Sequence, residues 1–294
     1  GSFRELSAGC RVLHPERLIL PKFNDFREDI SYHWVEGFDL DSGEAVLVPA
    51  CSVYHPFGID DPELMATHTN GVAAGNTMEE AVLHGLLEVV ERDAWSIVKF
   101  GRLTAESVSI DDEPENDFLL TIAGKLRDAE IDVSLRDYTP DLGIPVIAAK
   151  AHDLAIDKLM PMEGFGAHLD PKAAASRALM EVATTRGLLF QQHGAGRLVE
   201  ARPLYLFEAF ASDVLGDDPP AKSLSELVVG YSNDILTDIR SVCARLREHG
   251  LPQVIVVNLT RKEIQVPTAR VIVPGMEVYG FDPTRVGERL YHYL

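Results

Sequence analysis

Short apolar runs alternate with longer amphipathic stretches along the chain, and no unit repeats. Brief β-branched runs at 45–49, 132–136, 144–148, 253–259 and 270–273 predict buried strands. Apolar positions recurring with a period near 3.6 predict helices over 78–100, 116–129, 171–191 and 233–249, the last stopped by Gly250. That alternation predicts an α/β (α+β) architecture rather than an all-helical or all-strand one. Two acidic, proline-containing segments, 111–116 and 216–222, are the expected surface loops and the best places for linkers. Neither is long enough to mark a boundary, so one unit over 1–294 is expected.

The helix beginning at Met78 carries the strongest chemical signal. It follows a small, flexible segment, Asn70-Gly71-Val72-Ala73-Ala74-Gly75-Asn76-Thr77, whose glycines let backbone come close to a ligand while the first helical N–H groups face an anion. With Glu80 at zero on a helical wheel, Glu91 falls at about 20°, His84 at about 40°, Trp95 at about 60°, Glu88 at about 80° and Arg92 at about 120°. Val82, Leu83, Leu86, Leu87, Val89, Val90 and Ala94 occupy the opposite side. Three carboxylates and an arginine on one stripe suit Mg2+ on the glutamates and a phosphate on the arginine, because Mg2+ takes one or two carboxylates and completes its shell with phosphate oxygens. A purely structural account also stands: Thr77 with Glu80 as a capping box, and Glu88 with Arg92 as an i, i+4 pair.

A second helix has a similar lead-in. Gly164 to Asp170 offers a glycine loop and an N-cap aspartate, with Pro171 at the first helical position. Arg177, Glu181 and Thr184 then share a face, with Arg186 further round; salt bridging is the alternative reading. The spacing is no dinucleotide fingerprint, since Leu169 stands where the third glycine belongs. No phosphate-loop, H-E-x-x-H or G-x-S-x-G motif occurs. His33-Trp34 and His55-Pro56 read as packing and turn residues.

Composition narrows the partners. With 46 acidic against 27 basic residues the formal charge is −19, which argues against nucleic acid and anionic membranes. No run approaches the length of a membrane span, and the amino end lacks the pattern of a secretory signal. Cys10, Cys51 and Cys243 are an odd, dispersed set that indicates neither a disulfide framework nor a zinc ribbon. A cytoplasmic protein is expected.

Asn70 to Ala81, continuing through Leu86-Leu87-Glu88-Val89-Val90-Glu91-Arg92-Asp93-Ala94, closely resembles the signature of the YcaO family. Gly164 to Pro171 with Ser176 to Glu181, and Val273-Pro274-Gly275-Met276-Glu277, resemble it further along, in order. The resemblance implies a YcaO-like fold of mixed sheets packed with helices, with a nucleotide site between them. It also implies use of Mg-ATP to phosphorylate a backbone amide oxygen once a nucleophile has attacked the carbonyl carbon. Asn76, Glu80, Glu88, Glu91 and Arg92 then correspond to ATP-binding positions, with Glu80, Glu88 and Glu91 on the metal. Arg177, Glu181 and Arg186 are further candidates for the nucleotide.

Two departures qualify the match. The family's earlier S-x-x-E-x-x-E-R motif and its N-terminal lysine segment do not occur here, so the chain is expected to be a YcaO domain lacking its N-terminal ATP-binding segment. Thr184 stands where many relatives have glutamine. Trp34 to Gly37, Val48 to Ala50 with His55-Pro56-Phe57, and Glu91 to Ser96 look like archaeal members tied to thioamidation of a glycine in methyl-coenzyme M reductase. The implied reaction is thioglycine formation from sulfide, on a peptide or protein such as the reductase α subunit, with a TfuA-like partner for sulfur delivery and a homodimer as a compatible assembly. The alternatives are an azoline-forming cyclodehydratase and a non-catalytic substrate-binding homologue.

Overall fold

The computed structural model describes residues 1–58, 61–154, 162–193, 220–227 and 230–294. They form two compact units, one built from Gly1–Leu103 with Ser232–Leu294 and the other from Thr104–Tyr231. The breaks therefore fall after Leu103 and Tyr231 rather than in the acidic, proline-containing segments. Of those, residues 111–116 end in a short 3-10 turn that buries Asn116, 216–219 lie outside the described residues, and Lys222 belongs to a strand.

The first unit contains a five-stranded antiparallel sheet. Its strands are β1 (Trp34–Asp39), β2 (Glu44–Pro49), β3 (Val72–Ala74), β9 (Ile255–Asn258) and β10 (Thr268–Ile272), ordered β2-β1-β9-β10-β3. Its helices are α1 (Phe3–Leu6), α2 (Met78–Trp95), α5 (Ile235–Glu248) and α6 (Glu288–Tyr291). Val46, Val48, Ile255, Val257 and Ile272 supply inward side chains from the sheet to a core completed by Leu13, Leu18, Tyr32, Leu64 and Met65. Helix α2 packs on β3, β10 and α5, and beyond Trp95 it loosens into a π-turn over Ser96–Phe100. That is why periodicity alone extends it to residue 100.

The second unit contains a mixed sheet of β4 (Ser107–Ser109), β5 (Ile131–Asp137), β6 (Val146–Asp153), β7 (Met162–Ala167) and β8 (Lys222–Ser223), ordered β7-β6-β5-β4-β8. All its pairs are antiparallel except β4 with β8. Helices α3 (Asp117–Asp128) and α4 (Pro171–His193) bury Leu119, Ile122, Leu126, Ala174, Ala178, Leu179 and Val182 against Ile147, Ala149 and Ala151.

The glycine loop expected before α4 is instead strand β7. Its glycines serve contact rather than flexibility, because a Cβ at Gly164 would lie 2.2 Å from the Ala178 carbonyl oxygen, and one at Gly166 2.2 Å from that of Ala174. Helix and strand therefore touch backbone to backbone, and the lack of side chains erases the alternating pattern that marks a strand. Asp170 does cap the helix, its Oδ1 accepting from the Lys172 N–H at 2.9 Å. Gly164→Ala is expected to force α4 off β7 and cost about 1–3 kcal/mol or more, measurable as a lowered urea midpoint.

Candidate functional site

The approach to α2 is set by strand pairing. Val72, Ala73 and Ala74 pair with Arg270, Ala269 and Thr268, and the Gly75 N–H donates to the Pro267 carbonyl at 3.0 Å. At the start of the strand Gly71 has φ +81°, and an added Cβ would sit 2.2 Å from the Val271 carbonyl oxygen, so only glycine fits.

The amino end of α2 is closed by its own side chains rather than left open to an anion. Thr77 Oγ1 accepts from the Glu80 N–H at 3.2 Å, half of a capping box. The Glu80 carboxylate reaches past Thr77 to Asn76, accepting from its backbone N–H at 2.7 Å and its side-chain amide at 2.9 Å. The Asn76 backbone bond, and then the amide bond, hold the Glu80 carboxyl below the usual carboxylate range.

Beyond Met78 and the exposed Glu79, helix α2 is buried nearly all round, and its partly exposed positions run Glu80, His84, Glu88, Arg92 and Trp95. This is the stripe the wheel draws, with one exception: Glu91 is buried beneath it. Glu88 Oε2 accepts from the Gly71 N–H at 3.3 Å. Glu91 Oε1 lies 2.9 Å from Arg92 Nη2, and the Arg92 guanidinium stands 5.6 Å from the Trp95 ring and 5.9 Å from that of Phe281. A carboxylate and two aromatic faces thus fix the guanidinium's place.

Along a straight helix Glu88 and Glu91 are separated by about 4.5 Å of rise, whereas Glu80 is about 12 Å below Glu88. On that spacing Glu88 and Glu91 are neighbours along the helix, and Glu80 lies about two turns away. Among the described residues no group of three or more His, Cys, Asp and Glu side chains converges into a metal cage. The donor set nevertheless fits a Mg2+-phosphate ligand: two hard oxygen donors one turn apart, beside a positioned guanidinium.

In the second unit, α4 carries Arg177, Glu181 and Arg186. Glu181 Oε2 accepts from the Phe165 N–H of β7 at 2.5 Å. Arg186 Nε donates to the buried Asp153 at 2.8 Å, with its guanidinium over Phe190, so salt bridging describes it well. Arg177 is partly exposed and, among the described residues, has no side-chain hydrogen bond or ion pair, which makes it the more available of the two arginines. Thr184 is exposed and bonds back to the Met180 carbonyl.

Sequence reasoning missed the anchor under the site. The fully buried Asp93 receives Arg289 through Nε and Nη2 at 2.8–3.2 Å and the Glu277 N–H at 2.9 Å. Glu277, also buried, accepts from the N–H groups of Gly287 and Leu290. Burial raises its carboxyl pKa, and those bonds pull it partly back. The signal was present, since Asp93 falls at about 220° on the wheel, within the apolar arc.

Comparison with known proteins places the chain in a family. The model of the YcaO cyclodehydratase family, described as ATP- and Mg2+-binding, matches residues 1–277. An uncharacterized protein of Methanothermobacter thermautotrophicus is 37% identical over 96% of this chain and 74% of its own length. An uncharacterized protein from the tfuA 3' region of Rhizobium leguminosarum bv. trifolii is 30% identical over 83% of this chain and 61% of its own. Among solved structures, YcaO from Methanopyrus kandleri bound with AMPPCP and Mg2+ matches with a TM-score of 0.67 and 33% identity, over 92% of this chain and 73% of that one. A heterocyclase in complex with substrate and cofactor matches at 0.79 and 26% identity; 94% of this chain is covered but only 40% of the heterocyclase.

The chain belongs to the YcaO family, whose chemistry is ATP-dependent activation of a peptide backbone amide and whose cofactors are ATP and Mg2+. No helix among the described residues is long and apolar enough to cross a membrane.

The two roles along α2 separate by mutation. Asp93→Ala strands a buried arginine and is expected to cost about 3–5 kcal/mol of unfolding free energy. Glu88→Gln should stay within about 1 kcal/mol of wild type. Urea denaturation of both variants measures the difference.

Proposed function

We propose that the first unit carries the magnesium and phosphate ligands of an enzyme that converts a glycine backbone amide to a thioamide, with sulfide as the sulfur source. The observation that carries this reading is the pairing of Glu88 and Glu91, one turn apart, with an Arg92 guanidinium held in place by Glu91, Trp95 and Phe281. When bound, Mg-ATP supplies the phosphoryl group that turns an amide oxygen into a leaving group. Glu88 and Glu91 would hold the metal, Arg92 would neutralise phosphate charge, and Asn76 with Glu80 would orient the nucleotide.

Thioamide synthesis is favoured over azoline formation by the company the chain keeps: two methanogen relatives and a protein from a tfuA region. Methyl-coenzyme M reductase is the proposed substrate, and a TfuA-like protein the proposed sulfur carrier. The second reading, ring closure of Cys, Ser or Thr onto the preceding carbonyl, draws on the heterocyclase likeness.

Two measurements test the proposal. Glu88→Gln and Glu91→Gln are expected to weaken Mg-ATP binding at least about tenfold, or about 1.4 kcal/mol each, by calorimetry; unchanged affinity in both variants refutes the site. Mass spectrometry of a glycine-containing reductase peptide treated with the protein, Mg-ATP and sulfide should show one oxygen replaced by sulfur. Loss of water from a Cys-, Ser- or Thr-containing peptide instead would establish the cyclodehydratase.

A further inference from the structure

Two arginines in the first unit lie almost wholly out of solvent, Arg270 at 3% exposure and Arg285 at 2%. Both line a cavity of about 40 Å3, together with Cys51, His68, Asn70 and Met276. Neither has a carboxylate at ion-pair distance among the described residues. Arg270 donates through Nη1 to the His68 carbonyl at 2.8 Å and points Nη2 at His68 Nδ1 at 3.5 Å. Arg285 donates to the carbonyls of Ile19 at 2.7 Å and Leu18 at 2.6 Å.

Every one of those acceptors is neutral, and Arg270 Nε and Arg285 Nη1 have no hydrogen-bond partner among the described residues. Asn70, equally buried, leaves Oδ1 without a partner.

Among the described residues no aspartate or glutamate lines the cavity, in a chain whose formal charge is −19. Glu88 attracts Arg270, and Asp282 and Glu277 attract Arg285, only from beyond contact. Burial lowers both guanidinium pKa values to about 10, which leaves them charged at neutral pH. The neighbouring groups contribute no compensating charge: burial lowers His68 to about 3 and raises the Cys51 thiol to about 11. Two buried cations facing unfilled space are costly unless something negative sits between them.

We propose that this cavity binds one monatomic halide, chloride under ordinary conditions, between Arg270 Nε and Arg285 Nη1. Asn70 is the third donor, its amide turned to present Nδ2, an exchange with Oδ1 that needs only a half-turn of the side chain. The volume admits such an ion, since about 10–15 Å3 of accessible volume already holds a water molecule. Because Asn70 precedes Gly71 and Arg270 pairs across from Val72, the ion would tie β10 to the start of β3. This inference is independent of the reaction proposed above.

Crystals of the wild-type chain grown with sodium bromide test it directly. An anomalous peak between Arg270 and Arg285 is the expected result; ordered water there, with bromide confined to the surface, overturns the proposal. In solution, thermal unfolding in sodium chloride is compared with sodium gluconate at equal ionic strength, gluconate being too large to enter. A midpoint about 2–4 °C higher in chloride, lost in Asn70→Leu, is expected. Equal midpoints for the wild type in the two salts refute the site, whether or not the variant folds.

Discussion

Asp93 is the constraint on which the first unit turns. Its carboxylate is fully buried, so it must be answered by donors that come to it, and those donors arrive from Arg289 and Glu277, far along the chain. Because Glu277 in turn holds Gly287 and Leu290, one buried charge on α2 organises the C-terminal segment. Phe281 lies within that segment and faces Arg92, so the structural anchor and the candidate phosphate ligand are joined through one stretch of chain.

The helix itself performs two tasks on opposite faces. Its apolar side is pressed onto β3, β10 and α5, while a narrow stripe of polar side chains remains within reach of solvent. Glu91 sits under that stripe, where burial makes its pairing with Arg92 more rigid than a surface pair would be. Glu80 and Asn76 close the amino end a dozen ångströms or so away. The arrangement separates an end that binds its own backbone from a middle that offers charge outward.

Much of this was legible in the sequence because the signals are local. The four long helices appear where the 3.6 period places them, and Gly250 ends α5 with φ +79°. The stripe on α2 needed only a wheel. Strands β1, β3, β4, β7 and β8 were not legible: three are only two or three residues long, β1 mixes polar and apolar positions irregularly, and β7 has glycines in place of inward side chains. The contacts of Asp93, Arg270 and Arg285 join residues far apart in sequence, and spacing carries no record of such pairings. The aspartate's position among apolar neighbours was the one local hint.

The order of the first sheet has a consequence for synthesis on the ribosome. Strands β9 and β10 lie between β1 and β3, yet they follow the whole second unit in sequence, which is continuous between Thr104 and Tyr231. The nascent chain therefore holds the apolar face of α2 without β10 and α5 while the intervening residues emerge. The second unit has all its strands in hand long before the first does. The acidic excess of the chain is well suited to that interval, since like charges discourage exposed strand edges from meeting one another.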